Sequence, residues 1–476
     1  MRNFQPWVLY TASVDPTRFF THSLRDLRVA RILAAALEAV DPGAAVERYL
    51  SSNPLPSSGR VFALGLGKAA LPMTQALSRF TDLTRALVIT KHASSLNVGF
   101  ATVMESGHPV PDSRSLAAGK AALKFVSGLR EDDLLVCLIS GGGSALMTAP
   151  LVPLEDMQAL TSVLLACGAR IDEINTLRRH LDRVKGGGVA KATKARVLSL
   201  ILSDVVGSPL EAIASGPTAP DPTTRKDALV VLEKYDLLST NLRQSSLTSK
   251  RISAYSRRLA DSILKSLKTN PETPKPDDPI FSRVQNVIVG DNSRAVRAAS
   301  RQAESEGFYA ASLGSDWQGE AREVGIKLAR KLRVTTKALP YPFCLIAGGE
   351  TTVTLRGNGN PASKKRGVGG RNQELALAAV SELAGLANTL LISLATDGED
   401  GPTDAAGAVV SGESLQRAES LGLEVAGHLS RNDAYPFFER LGDLLKIGPT
   451  GTNVNDLVFL VGGSNVYPSR SQIAPF

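Results

Sequence analysis

Residues 61–70 read Val61-Phe62-Ala63-Leu64-Gly65-Leu66-Gly67-Lys68-Ala69-Ala70. A short apolar run passes straight into a Gly-x-Gly turn, and the turn opens an Ala-rich helix. The design recurs. Leu134 to Ile139 stops in Ser140-Gly141-Gly142-Gly143-Ser144, and Val197 to Leu202 stops in Ser203-Asp204-Val205-Val206-Gly207. Leu345-Ile346-Ala347 runs into Gly348-Gly349-Glu350, and Leu390 to Ala395 into Thr396-Asp397-Gly398. Strands that end in polar, Gly-rich loops are how α/β proteins build sites at the carboxyl ends of parallel strands. The pattern therefore predicts an α/β enzyme that handles phosphate.

Working outward, strands are expected at 60–65, 85–90, 101–105 and 133–139, with helices at 23–49, 68–80 and 113–129 between them. Such alternation implies a parallel sheet covered on both faces. Further strands are expected at 197–202, 284–289, 309–313, 343–347, 351–355, 390–395 and 457–461. Ile174, Leu177, Leu181 and Val184 mark one apolar face of a helix that ends at Gly186-Gly187-Gly188. Its other face carries Arg178, Arg179, Arg183 and Lys185, read as solvated. The Ser-, Lys- and Pro-rich stretch 238–280 marks a domain boundary or an insertion. The expected organisation is an accessory or disordered arm at 1–22, a first domain at 23–280 and a second at 281–476.

The length of 476 residues suits two or three domains, and 43% hydrophobic with 21% charged residues is ordinary for a globular protein. The net charge of +8 fits acidic small-molecule substrates. Nucleic acid is the weaker reading, because 14 Phe, 8 Tyr and 2 Trp show no basic-aromatic interleaving. No apolar run approaches the roughly 20 residues that span a membrane. Three widely spaced cysteines, Cys137, Cys167 and Cys344, read as reduced, buried small hydrophobes in an intracellular protein. A cytoplasmic location is the default. Arg2, Arg18 and Arg25 against Asp15 alone leave a mitochondrial one open.

Gly65-Leu66-Gly67-Lys68-Ala69-Ala70 fits G-x-G-x-x-A, but the next strand ends at Thr90-Lys91 and not in the acid that holds a ribose. Lys68 suits an anion instead, where free N–H groups and the helix dipole add to its charge. Ser140-Gly141-Gly142-Gly143-Ser144 lacks Cβ atoms at three successive positions, so its amides can form an anion nest or simply a tight turn. The chain contains no Walker A loop and no HRD or DFG signature. Asp204 and Asp397 each stand just past a strand, where a carboxylate can hold Mg²⁺, accept a hydroxyl proton or cap a helix. Asp397, Glu399, Asp400 and Asp404 do not form a calcium loop, since the twelfth position is Ala408. Arg371, after Gly369-Gly370, could hold a carboxylate or phosphate with both arms of its fork. His108 could be a base, although a lone His in a Pro-rich turn is more often structural.

Together these stretches resemble the glycerate 2-kinases of the MOFRL type (class II glycerate kinases). The resemblance runs from about residue 26 to 462. It is carried by ALGLGKAA at 63–70, ESGHPVPD at 105–112, LISGGGSALMTAP at 138–150 and INTLRRHLDRVKGGGVA at 174–190. LILSDVVGSPLEAIASGPTAPD at 200–221, AGGETTVTL at 347–355, GVGGRNQELAL at 367–377, ATDGEDGPTDAAGA at 395–408 and GPTGTNVNDL at 448–457 complete it. It implies a large Rossmann-like parallel-sheet domain plus a smaller C-terminal α/β domain, with the active site in the interdomain cleft. It further implies transfer of phosphate from ATP to D-glycerate, giving 2-phosphoglycerate, with a divalent metal such as Mg²⁺.

Lys68 and Arg371 match the family's lysine and arginine and carry over as catalytic or phosphate-binding. Asp204 is the third expected catalytic group. Ser140, Gly141, Gly142, Gly143, Ser144, Asn372 and Glu350 are expected to bind substrate or phosphate, and Asp397 and Asp204 to hold the metal. The expected partners are D-glycerate and ATP, with no nucleic acid and no membrane, and a homodimer left open. The chain departs from the pattern at Ser208, at Glu399, at Gly188 and in an insert after Gly357-Asn358-Gly359 that holds Lys364, Lys365 and Arg366. Two rival readings stand beside the kinase: an NAD(P)-dependent hydroxypyruvate reductase and a non-catalytic phospho-ligand sensor.

Overall fold

In the computed structural model, which describes residues 14–56, 59–92, 99–237, 250–355 and 367–463, the chain divides into two units. One is Ala45–Val289; the other joins Met1–Ala44 to Gly290–Phe476.

The first unit is built on β1 (Val61–Leu66), β2 (Leu83–Thr90), β3 (Ala101–Glu105), β4 (Leu134–Ile139), β5 (Arg196–Leu202) and β6 (Val284–Gly290). Their order is β3-β2-β1-β4-β5-β6, and the pairs from β3 to β5 are parallel. This is the doubly wound order, whose direction reverses between β1 and β4 and leaves a crevice outside their carboxyl ends. β4 is buried at every position, as a central strand covered on both faces must be. Asp112 caps the covering helix Ser113–Ser127, its carboxylate accepting the amides of Arg114 and Ser115.

The second unit carries a mixed sheet: β7 (Tyr309–Ser312), β8 (Trp317–Glu320), β9 (Phe343–Thr352), β10 (Thr389–Ala395), β11 (Gly407–Ser411) and β12 (Asp456–Gly462). The order is β11-β10-β12-β9-β7, with β8 also on β9. β12 runs antiparallel to β9 and β10, whereas β7 and β8 run parallel to β9. Helices Ala321–Ala338 and Arg371–Leu383 bury their apolar faces in a core with Phe343, Phe437 and Phe438.

Several expectations change. The strands expected at 343–347 and 351–355 are one strand, since β12 and β8 pair with its two halves in turn. The helix expected at 23–49 is two, Leu27–Glu38 and Pro42–Ser52, because Pro42 can begin a helix but not continue one. The cut between the units falls near 44/45 and 289/290, not at 22/23 and 280/281. Residues 14–22 of the expected arm are packed: Phe19 is fully buried, and the His22 amide donates to Gly442 at 2.8 Å. Arg31 grips Glu306 with two bonds of 2.6 Å, which ties helix Leu27–Glu38 to the second unit. Residues 1–13 and the insert with Lys364, Lys365 and Arg366 lie outside the described residues.

The basic helix also differs. It spans Ile171–His180, ending before the triple glycine, and its charges are largely internal. Arg179 meets Asp221 at 2.8 Å, and Lys185 meets Asp182 at 3.0 Å and the Met147 carbonyl at 2.9 Å, all inside the unit. Buried charges persist when they are paired. Only Arg183 remains exposed as expected, while Arg178 is half-buried. Of the cysteines, Cys137 and Cys344 are buried, which pushes both thiols up to about 12, but Cys167 is exposed.

Candidate active site

In the first unit the loops after β1 and β4 interlock. The Ser140 amide donates to the Leu66 carbonyl at 2.8 Å and the Lys68 amide to the Gly141 carbonyl at 3.0 Å. Ser140 Oγ accepts the Ala69 amide at 3.0 Å. Gly67 has φ +120°, and a Cβ there would overlap Ser140, so only glycine permits the approach. Ser140, expected to touch substrate, is 1% exposed, and its hydroxyl serves this lock.

The lock decides which backbone donors remain. The Gly67 amide donates to Ile89, Lys68 to Gly141, Ala69 to Ser140 and Ala70 to Gly67. The amides expected to assist Lys68 are therefore spent, and what Lys68 can offer a ligand is its exposed side chain. In the other loop, the amides of Gly141, Gly142, Gly143 and Ser144 have no hydrogen-bond partner among the described residues. Gly142 is left-handed (φ +85°). Successive unspent amides around a left-handed residue form a concave anion cradle.

Three side chains flank that cradle. A Cβ on Gly141 would overlap the Asp204 carboxylate, and one on Gly142 would lie 3.2 Å from His108 Nε2 and 3.5 Å from Lys68 Cγ. Ser144 Oγ and Ser215 Oγ are 2.8 Å apart. Burial, then Lys68 and Lys91, pushes His108 down to about 4, so its ring is neutral at pH 7. The sequence offered His108 only as a lone histidine in a turn; tertiary contact places it here.

The second unit has its own charged site. Arg371 donates from Nε to Asp456 at 2.6 Å, from Nη2 to the same carboxylate at 3.1 Å, and from Nη1 to Glu350 at 2.7 Å. The fork expected to grip a ligand holds Asp456, a residue the sequence did not single out. Burial pushes Asp456 up against the pull of Arg371, and the two carboxylates hold the Arg371 guanidinium above its ordinary value despite burial. Gly370 lets Asp400 reach the start of helix Arg371–Leu383, since a Cβ would overlap it. Asp400 accepts the amides of Asn372 and Gln373 at 3.1 and 2.8 Å, a cap supplied from another loop. Its burial pushes it up to about 7, with these bonds opposing. Asn372, expected at substrate, is 1% exposed; its amide meets Asp400 and its oxygen accepts Ser393 at 2.7 Å. It braces the helix start.

Asp397 follows β10, where Ala395 pairs with Asp456. Among the described residues no three His, Cys, Asp or Glu side chains converge on a metal position. Mg²⁺ is commonly held by one or two carboxylates with phosphate oxygens and waters, a requirement that the hard oxygens of Asp204 or Asp397 fit. No helix among the described residues is long and apolar enough to cross a membrane.

An open parallel sheet with a loop of unspent amides at its reversal point, joined in one chain to a mixed-sheet unit bearing a carboxylate-held arginine, defines a two-unit α/β class. Residues 28–247 match the domain of unknown function DUF4147, and residues 343–456 match the MOFRL family. The chain is 37% identical to the glycerate 2-kinase of Pyrococcus horikoshii, over 90% of this chain and 96% of that one. It is 37% identical to an Agrobacterium vitis protein named provisionally as a hydroxypyruvate reductase, over 91% and 93%. The crystal structure of glycerate kinase from Thermotoga maritima superposes with a TM-score of 0.78 at 39% identity, over 90% of this chain and 97% of that one. The chain belongs to the MOFRL-type glycerate kinase family.

Proposed function

We propose that this protein transfers the γ-phosphoryl group of ATP to the 2-hydroxyl of D-glycerate by direct in-line displacement. The observation that carries the reading is the set of four unspent amides at Gly141–Ser144, flanked by Lys68, His108 and Asp204. Phosphoryl transfer asks for positioning and for charge neutralisation around the moving group, not for covalent chemistry by the protein. The cradle amides and the Lys68 ammonium bind phosphate or the glycerate carboxylate. Arg371, held by Asp456 and Glu350, keeps further N–H groups and is the anion-binding candidate of the second unit. Asp204 takes either the metal or the 2-hydroxyl, and Asp397 is the metal-ligand candidate of the second unit. A bound Mg²⁺ would neutralise phosphate charge. The familial relatives named glycerate kinases support the substrate.

The reductase reading loses support at the β1 turn. A dinucleotide fold points the turn's amides at pyrophosphate, and here those of residues 67–70 are bonded within the protein. The test is ADP release with ATP, Mg²⁺ and D-glycerate, with the product assigned by NMR. Formation of 2-phosphoglycerate is expected; 3-phosphoglycerate would overturn the regiochemistry, and no ADP from folded protein would overturn the reaction. NADH consumption with hydroxypyruvate would favour the rival.

A further inference from the structure

We propose that His108 is a catalytic residue whose Nε2 accepts the proton of the D-glycerate 2-hydroxyl during transfer. The inference rests on the kinase reading and replaces Asp204 as the proton acceptor, leaving Asp204 for the metal or the cradle.

The loop after β3 holds the ring in place on both sides. Before it, the Ser106 amide donates to Thr90 at 3.0 Å and Ser106 Oγ donates to the Leu146 carbonyl at 2.6 Å. After it, Asp112 caps helix Ser113–Ser127 and packs on Gly107, where a Cβ would lie 2.6 Å from its carboxyl carbon. Between these anchors the imidazole rests on the cradle, its Nε2 and Cδ2 at 3.2 and 3.1 Å from the Cβ position of Gly142.

The ring's bonding sets it apart from the buried histidine of the same unit. His180 uses both nitrogens, one on the Thr176 carbonyl and one on Glu272, each at 2.9 Å. His108 has no hydrogen-bond partner among the described residues. A half-buried ring with unspent nitrogens, held against an anion cradle, is placed for a ligand. Burial, then the charges of Lys68 and Lys91, keeps it unprotonated, with Asp204 on the neighbouring glycine. Neutral imidazole is an acceptor. Arriving phosphate offsets the lysine charge, which eases formation of the imidazolium as the proton moves.

The step balances. The 2-hydroxyl O–H bond breaks and its proton goes to Nε2. The oxygen forms the new bond to the γ-phosphorus, and the bond to the β-phosphate oxygen breaks with its electron pair leaving on ADP. The imidazolium then returns its proton to solvent.

The experiment compares full-length wild type, His108→Gln and His108→Ala with D-glycerate, ATP and Mg²⁺. Both variants should lose about 10²-fold or more in kcat, the scale of positioned acid–base catalysis, while the KM for ATP changes little. Added imidazole should restore part of the His108→Ala rate, which a merely structural role would not show. Should His108→Ala fail to fold, the near-isosteric His108→Gln carries the rate comparison. Turnover within about three-fold of wild type, or a loss confined to the KM for D-glycerate, overturns the proposal. An inactive wild type instead overturns the kinase reading.

Discussion

The amide of Lys68 donates to the carbonyl of Gly141 at 3.0 Å, which makes the turn after β1 and the turn after β4 one interlocked object. The first turn spends the amides of Lys68 and Ala69 to hold the second, and the second keeps its own for a ligand. Lys68 thereby contributes a side chain to a cradle built by other residues.

Replacing Lys68 with Ala should lower kcat by about 10²–10³-fold, the usual cost of one donor to developing charge. The main-chain bond to Gly141 survives, so the melting temperature should stay near wild type. The ADP-release assay with thermal melts checks both, and near-normal turnover would remove Lys68 from the machinery.

Gly141→Ala tests the packing of Asp204. The added methyl overlaps the Asp204 carboxylate, so one of them must shift. A displacement on the order of 1 Å in such a site costs about 10²-fold in rate. Activity should fall by that order in protein that still unfolds cooperatively.

Arg371→Ala should destabilise the second unit by about 3–5 kcal/mol, because Asp456 is left buried and uncompensated. The double variant Arg371→Ala/Asp456→Ala should recover part of the loss while remaining inactive. Denaturant titrations of wild type, Arg371→Ala, Asp456→Ala and the double variant give the coupling, and strict additivity would show that the pair is not the unit of stability.

His108 gives a pH dependence of defined sign. Its pKa is lowered from 6.5 to about 4 by burial, then Lys68 and Lys91. Between those values the unfolded chain binds more protons than the folded one, so this group makes stability fall as pH drops through the window. His108→Gln should lose less stability than wild type between pH 7 and 4.5. Denaturant midpoints at both pH values check this, and equal slopes would contradict the burial of the ring.

Asp443 is fully buried and accepts the Ser23 amide at 2.7 Å, Ser23 Oγ at 2.9 Å and Arg417 Nη1 at 2.9 Å. Asp443→Ala should cost about 3–5 kcal/mol and release residues 14–26 to proteolysis. Limited proteolysis with mass spectrometry would show cleavage there first.

Most strands and the loops that follow them were legible because apolar runs and glycine turns are local signals. Lys68, the 140–144 loop and Asp204 each follow a strand in the sequence, and they lie at one sheet end because the adjacent parallel strands β1, β4 and β5 share a carboxyl edge. The partners were not legible. Nothing near Arg371 in sequence announces Asp456, 85 residues away, and nothing near Gly370 announces Asp400. Asn372 has the composition of a ligand contact and the surroundings of a brace. The basic residues around Arg179 look solvated in sequence because the carboxylates that pair them inside lie on other segments.

The sequence by itself determined the alternating strands and helices, the glycine turns and, through the motifs quoted above, the family. Those properties depend on side-chain periodicity and on which residues tolerate a turn. Only the tertiary structure decided that the amides of 67–70 are spent and those of 141–144 find no partner among the described residues, that residues 14–44 belong with the second unit, and that His108 lies on the cradle. Each of these depends on which group at long range satisfies a donor or fills a space, and that choice is made when the chain packs.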